Sequence, residues 1–180
     1  MVKARSPPDR EECLSAALAM PCWAYDPGRD HTPDREPLEI VKRLVPLRFE
    51  RCVPADDAAF RYGLALHDNG FFWEAHEIWE AVWKAAPMNG PDRLALRALI
   101  QIANSGLKQR QARQRAAARL IDEAVGLLGE LATRELAGAP ESVAGQLQRE
   151  SLRAELGDRR LATPISLAQF FSRAKMKENA

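Results

Sequence analysis

A histidine and three glutamates lie among tryptophans in one short run, Phe71–Trp83. A helix advances about 100° per residue, which puts Glu80 beside His76 on the same face. Glu77 lies further round on that side, and Glu74 lies opposite. A neighbouring carboxylate favours the charged form of an imidazole, whereas burial favours the neutral form. The spacing therefore places His76 where a pH-sensitive or acid–base group could work.

The same helix carries an apolar stripe, for which the sequence leaves two interpretations open. A run of Phe and Trp at helical spacing is typical of a hydrophobic core, and Glu80 would then only orient the ring of His76. Alternatively, Trp79 and Trp83 wall a pocket, and Gln101 on the following helix reaches it as a hydrogen-bond donor. No residue is assigned a catalytic role, and the candidate pocket residues are His76, Glu77, Trp79, Glu80, Trp83 and Gln101.

A metal site on this helix is a further alternative. His76-Glu77-x-x-Glu80 resembles half of the zinc motif H-E-x-x-H, with glutamate in place of the second histidine. Zinc would need a third ligand, for which His67 and His31 are the remaining histidines. Di-iron bundles combine Glu-x-x-His motifs from separate helices, and this helix offers a single cluster. We therefore expect no metal and no cofactor, and we interpret His67 as a core histidine.

The spacing of apolar residues and helix breakers predicts an all-α protein. From residue 56 to residue 156 no segment alternates with the period of a strand. Asn69-Gly70 and Asn89-Gly90-Pro91 supply residues that end helices, and Asp56 can cap the start of a helix. The expected architecture is a compact bundle of about four to six helices with short connections. Its helices are expected over about 56–68, 71–85, from Asp92 onward, 120–131 and, more weakly, 141–156.

The first part of the chain is irregular. Proline fixes φ and removes a backbone donor, and most of the twelve prolines fall within residues 1–53. Short helices are predicted near 9–20 and 35–45 in this proline-rich arm. We divide the chain into the arm over 1–53, a helical bundle over 54–157 and a tail over 158–180, whose Phe170 and Phe171 are expected to pack back onto the bundle.

Charge and cysteine content argue against several classes of protein. Lys plus Arg total 26 and Asp plus Glu 25, and this net charge of +1 argues against a nucleic-acid or membrane-surface binder. Five cations between residues 108 and 119 form either a solvated helical face or a docking surface for an acidic partner. Three cysteines without disulfide or zinc spacing, and no apolar run of about 20 residues, favour a cytoplasmic protein.

These residues together resemble a known family. The string Glu74-Ala75-His76-Glu77-x-Trp79-Glu80-x-x-Trp83, followed by Leu99-Ile100-Gln101, is similar to the proteins grouped as domain of unknown function 309, over roughly Asp57 to Leu131. The resemblance implies an all-helical, prokaryotic protein, so a bacterial source is expected, and it implies no activity. The chain has Asp68 where the family commonly has asparagine. It also lacks glycine over 111–117, which leaves the position of that turn open, and one longer helix is possible.

Three functions follow from these observations. The first is a binding or protein-interaction module, in which the cluster around His76, Glu80 and Trp83 holds a small ligand or a protein partner and the chain can pair with itself. The second is an enzyme with His76 and Glu80 as an acid–base pair, for which hydrolysis is one reaction that such a pair can catalyse. The third is a metal site on the same cluster. The binding module ranks first because the sequence holds no complete catalytic motif, phosphate loop or dinucleotide fingerprint.

Overall fold

The computed structural model describes residues 19–29, 32–133, 139–159 and 165–171. Within those ranges the chain forms α-helices, one 3-10 helix over Ala168–Phe170, and no strand. The predicted all-α class is confirmed. The helices are α1 (Glu36–Lys42), α2 (Ala58–Asp68), α3 (Phe72–Ala85), α4 (Pro91–Arg110), α5 (Gln114–Thr133), α6 (Val143–Gln146) and α7 (Arg149–Arg159).

The stretch predicted as one weak helix over 141–156 forms two helices. Leu147 takes an extended conformation after α6 and pairs with Phe171 of the C-terminal segment in an isolated antiparallel bridge. Gln148 N then donates to Phe170 O at 2.8 Å. The segment following the bundle therefore separates α6 from α7, through contacts that local periodicity does not contain.

The cap of α2 lies one residue beyond the predicted one. Asp56 is exposed, whereas the carboxylate of Asp57 accepts a hydrogen bond from Phe60 N at 2.9 Å. Asp57 N donates to Pro54 O at 3.1 Å, which makes Asp57 the last residue before the helix. Either aspartate could cap a helix by residue type, and this turn decides between them.

Three connections in the bundle contain a residue with a left-handed backbone conformation, and between α3 and α4 that residue is Asn89, with φ +60°. Between α2 and α3 that residue is Gly70, with φ +83°. Between α4 and α5 it is Ala112, with φ +57°, and Arg113 N donates to Lys108 O at 2.9 Å across the turn. The turn that the sequence leaves open thus lies at 111–113, and α4 and α5 are separate helices.

Helices α3 and α4 pack side by side and run antiparallel. Phe72 at the start of α3 faces Gly106 near the end of α4, where an added Cβ would lie 2.8 Å from the phenyl ring. At the other end, the guanidinium of Arg93 near the start of α4 lies over the ring of Trp83. Because small residues let helices approach closely, Gly106 fixes the spacing of this pair.

A buried carboxylate joins three segments at the start of α4. Asp92 is 2% exposed and accepts hydrogen bonds from Val53 N and Ala144 N, both at 2.9 Å. Val143 N donates to Val53 O, also at 2.9 Å. The loop before α2 and the start of α6 are thereby held against α4, with their buried donors satisfied.

The described parts of the arm and the tail contact the bundle. The ring of Tyr25 packs edge-on against Trp73, with ring centroids 4.9 Å apart. Phe170 and Phe171 are buried, as predicted, and Phe171 meets Phe60 edge-on. The helix predicted near 35–45 is α1, while the one near 9–20 falls almost wholly outside the described residues. The division into arm, bundle and tail stays a prediction.

Two further expectations concern thiols and membranes. Cys22 is exposed and Cys52 half-buried, and neither forms a disulfide, while Cys13 lies outside the described residues. Among the helices of the described ranges, none combines the length and the apolar character that crossing a membrane requires.

Candidate functional site

His76 lies at the boundary between the core and the surface on α3, as its spacing predicts. The side chain is half-buried, and its Nδ1 is enclosed without a hydrogen-bond partner among the described residues. Burial lowers the pKa of His76 below its ordinary value, although the charges of Glu77 and Glu80 act to raise it. The imidazole is therefore mainly neutral at pH 7, with one ring nitrogen unused.

Both carboxylates that follow His76 are engaged by lysines. Glu77 Oε2 accepts from Lys42 Nζ of α1 at 2.9 Å, and Glu80 Oε2 accepts from Lys84 Nζ at 2.9 Å. The hydrogen bond from Lys84 lowers the pKa of Glu80. Within the described ranges no hydrogen bond joins His76 to Glu77 or Glu80. The imidazole is thus coupled to these carboxylates by charge alone.

The two tryptophans of the candidate pocket have different environments. Trp79 is 0% exposed, and its indole Nε1 donates to Phe60 O at 3.2 Å. Its ring lies against Gly63 of α2 and stacks with His67. Trp83 is half-buried and reaches the surface. The core interpretation of the stripe therefore describes Trp79, and the pocket interpretation remains available for Trp83.

A surface cavity of about 310 Å³ opens beside Trp83. The guanidinium of Arg93 lies 4.0 Å above the ring of Trp83, as a cation–π pair does. Its Nη1 also donates to Ala86 O at 3.3 Å and contacts Met88 Sδ at 3.0 Å. The walls consist of the end of α3, the α3–α4 turn and the first turns of α4, namely Trp83, Met88, Asn89, Gly90, Arg93, Leu94 and Arg97.

Gln101 is half-buried on α4, and the antiparallel packing of α3 and α4 sets its level along the pair. Arg93 of α4 lies at the level of Trp83 of α3. Gln101 is eight residues after Arg93, so in an antiparallel pair it lies at the level of residue 75, eight residues before Trp83. Gly106 of α4 lies at the level of Phe72 of α3, and Gln101, five residues before Gly106, therefore lies at the level of residue 77. Gln101 therefore lies at roughly the level of His76 along the helix pair. It also follows Leu94 and Arg97 at spacings of seven and four residues, which places it on the face of α4 that lines the cavity.

Asp68 is an ionisable residue for which the sequence predicts no role. Its carboxylate accepts hydrogen bonds from Ser166 Oγ at 2.8 Å, Leu167 N at 2.7 Å and Ala168 N at 3.1 Å, and it lies 3.1 Å from His67 Nδ1. Burial raises the pKa of Asp68, but these hydrogen bonds outweigh burial and lower it overall. A serine, a histidine and an aspartate thus meet here.

This group does not have the order of a hydrolytic triad. In such a triad the histidine lies between the serine and the aspartate and takes the serine proton. Here Asp68 is the hub, and Ser166 donates to it directly. His67 is 2% exposed and lies among Phe72, Trp79 and Asp68. The arrangement anchors the C-terminal segment, and His67 is a core histidine, as predicted.

Glu74, on the opposite side of α3 from His76, is 0% exposed. The N-terminal segment covers that side, and Glu74 Oε1 accepts from Tyr25 N at 2.7 Å. Periodicity alone suggests a solvated glutamate at this position. No local signal reveals the covering, because Tyr25 lies 49 residues earlier in the chain.

The basic stretch 108–119 divides into engaged and exposed residues. Arg110 donates to Gly70 O and lies 5.0 Å from the centroid of the Phe72 ring. Lys108 contacts Gln111, whereas three arginines of the stretch are exposed. Those are Arg113, Arg115 and Arg119. The stretch therefore both closes the α2–α3 turn and presents a solvated face.

Potential metal ligands are not gathered into one cluster in the described part of the chain. No group of three or more His, Cys, Asp or Glu side chains in the described ranges is arranged to hold a metal ion. His67, one proposed third ligand, is paired with Asp68, and His31, the other, lies outside those ranges.

Comparison with protein families matches residues 60–120 to the model described as Domain of unknown function (DUF309). The matched stretch runs from α2 into α5 and contains both His76 and Gln101. The resemblance found in the sequence is thereby confirmed over this stretch. Comparisons with curated proteins and with solved structures give no match.

Proposed function

We propose that this protein is a binding module whose ligand lies between α3 and α4. The site, which we call the α3–α4 groove, has His76, Glu80 and Trp83 on one side and Leu94, Arg97 and Gln101 on the other. The observation that carries the proposal is the cavity of about 310 Å³ at its Trp83 end. This volume is at the lower end of the roughly 300–1,000 Å³ typical of ligand pockets, which favours a small ligand.

The groove combines an apolar wall with polar groups that have spare hydrogen-bonding capacity. His76 Nδ1 is enclosed and has no partner among the described residues. A buried polar atom without a partner costs free energy, which a ligand could recover if the His76 ring turns so that Nδ1 reaches the groove surface. Gln101, at the same level of the helix pair, carries both a donor and an acceptor. Apolar walls with a few such groups are typical of sites for small molecules.

The enzymatic alternative, with His76 and Glu80 as an acid–base pair, has weaker support. Glu80 is bound to Lys84, and its lowered pKa makes it a poor proton acceptor near neutral pH. The pair would first need Glu80 to leave Lys84. We also propose a cytoplasmic location, which the unpaired Cys22 and Cys52 support.

Binding can be tested with indole as a probe, by following the ¹H–¹⁵N spectrum of the full chain. Indole is expected to shift the indole N–H signal of Trp83 and the side-chain amide signal of Gln101. Trp83→Leu should weaken binding by about tenfold or more, since it removes the main apolar wall. Trp23→Leu is the matched control, because Trp23 is 49% exposed on the N-terminal segment, which meets α3 at Glu74, on the side opposite His76.

The proposal fails if indole at millimolar concentration shifts neither signal. It also fails if Trp23→Leu weakens indole binding as much as Trp83→Leu does. Self-association is a separate possibility, which sedimentation of the full chain measures. A dimer whose formation abolishes the indole-induced shifts would assign the groove to a protein partner instead.

A further inference from the structure

We infer, on the basis of the proposed function, that the Trp83 end of the α3–α4 groove selects ligands in which a carboxylate or phosphate adjoins a small apolar group. The two anions share the feature that matters, a pair of oxygens with negative charge. The residue that selects them is Arg93, and the residues that select the apolar part are Trp83, Met88 and Leu94.

The hydrogen bonds of Arg93 leave one edge of its guanidinium open. Nη1 is directed at Ala86 O and Met88 Sδ. Nε and Nη2, which carry three further N–H groups, have no acceptor among the described residues. These two nitrogens form the fork that binds both oxygens of a carboxylate or phosphate side by side. The cation–π contact with Trp83 holds the guanidinium in place before a ligand arrives.

The charge of Arg93 is not balanced by a carboxylate in the described ranges. The carboxylate of Asp92, the preceding residue, accepts from Val53 N and Ala144 N instead. Arg97, one turn further along α4, is already paired with Glu123 at 3.0 Å. The cavity therefore has one neutralised arginine and one uncompensated arginine in its wall. An anionic ligand would balance the charge of Arg93, and a cationic ligand would be repelled by it.

The remaining walls suit an apolar group of limited size. Met88 is 70% exposed at the cavity mouth, and its unbranched thioether can adjust to ligands of different shape. Trp83 and Leu94 supply fixed apolar surface beside it. A ligand that fills about 310 Å³ while reaching Arg93 is a small molecule or a single side chain, not a long polymer.

Matched probes separate charge from shape. Phenylacetate and phenylacetamide have nearly the same shape, but only the first carries a charge, and phenyl phosphate represents the phosphate class. We expect phenylacetate to bind the full chain at least about tenfold more tightly than phenylacetamide, as measured from NMR shifts of the Trp83 indole signal. Arg93→Gln should remove this preference, whereas Arg115→Gln, at an exposed arginine outside the groove, should change it by less than about threefold.

A second variant keeps the test decisive if Arg93→Gln fails to fold. Arg93→Lys retains the positive charge but loses the planar fork, and it should reduce the preference for phenylacetate while leaving some of it. The inference is overturned if phenylacetate and phenylacetamide bind equally, or if Arg93→Gln preserves the preference. In either case indole and phenylacetamide can still bind through Trp83, so the proposed binding function stands. If no probe binds, both fail. A preference for phenyl phosphate over phenylacetate identifies phosphate as the anion, and the reverse identifies carboxylate.

Discussion

Gly63 of α2 lies directly against the indole ring of Trp79 of α3. A Cβ added at residue 63 would come within 2.7 Å of Trp79 Cδ1 and closer still to Nε1. Trp79 is completely buried and cannot move aside without breaking its hydrogen bond to Phe60 O. The close approach of α2 and α3 therefore depends on the absence of a side chain at residue 63.

Gly63→Ala is expected to lower the free energy of unfolding by about 1–3 kcal/mol, because overpacking forces the helices or the indole to shift. Gly126→Ala is the control. Nothing lies within 4 Å of a Cβ at residue 126, so alanine should raise stability by up to about 1 kcal/mol through its helix propensity. Urea unfolding followed by circular dichroism measures both. Equal effects of the two substitutions would contradict the close packing of Gly63.

Ala112 has a backbone conformation in which glycine is favoured. Its φ of +57° costs a residue with a side chain about 1–2 kcal/mol. Glycine has more freedom in the unfolded chain, which offsets part of the gain. Ala112→Gly is therefore expected to raise the unfolding free energy by about 0.5–1 kcal/mol. Thermal unfolding tests this, with Ala118→Gly, inside α5, expected to lower stability by a similar amount. Loss of stability in Ala112→Gly would contradict the turn.

The pKa of His76 is expected to respond in opposite directions to two neutralising substitutions. Burial lowers this pKa, the charge of Lys84 also lowers it, and that of Glu77 raises it. Lys84→Met should therefore raise the pKa, and Glu77→Gln should lower it further. The midpoint of the imidazole proton signal in an NMR titration measures both, with His76→Gln identifying the signal. Shifts of the same sign would show that the two charges do not act on His76.

His76 should also make stability depend on pH. Its pKa is lower in the folded chain than the roughly 6.5 of an unfolded one, so the unfolded chain binds more protons between the two values. The contribution of His76 is thus complete above about pH 6.5 and is lost as pH falls through the folded pKa. His76→Gln should flatten the unfolding free energy in this window. An unchanged slope would contradict the burial of the ring.

Asp68 is expected to stabilise the protein through its ionised form. Its folded pKa lies below the unfolded value of about 3.9, so its contribution is complete above that pH and is lost as pH falls through the folded pKa. Asp68→Asn should lower the unfolding free energy at pH 7 by about 1–2 kcal/mol and flatten its decline in acid. Asp56→Asn, at an exposed aspartate, is the control. Equal effects of both would show that Asp68 does not hold the C-terminal segment.

Much of the fold could be predicted because the signals for helices are local. The end of α2 at Asn69-Gly70 and the start of α4 at Gly90-Pro91 follow from residue types within one turn. The position of His76 at the edge of the apolar stripe follows from the 3.6-residue period. These features depend on a few neighbouring residues, so the sequence alone determined them.

The partners of the same residues were decided by the tertiary structure. The helical period places Trp79 and Trp83 on the same face of α3. The two side chains nevertheless differ in their contacts, because Trp79 packs against Gly63 in the core. Trp83 lies beneath the guanidinium of Arg93 at the surface. Glu77 acquires Lys42 from 35 residues earlier in the chain. Such outcomes depend on which distant segment covers each face. The sequence by itself thus determined where each side chain points around its own helix, whereas the packing of the helices decided what it meets, because burial and charge pairing join residues that are remote along the chain.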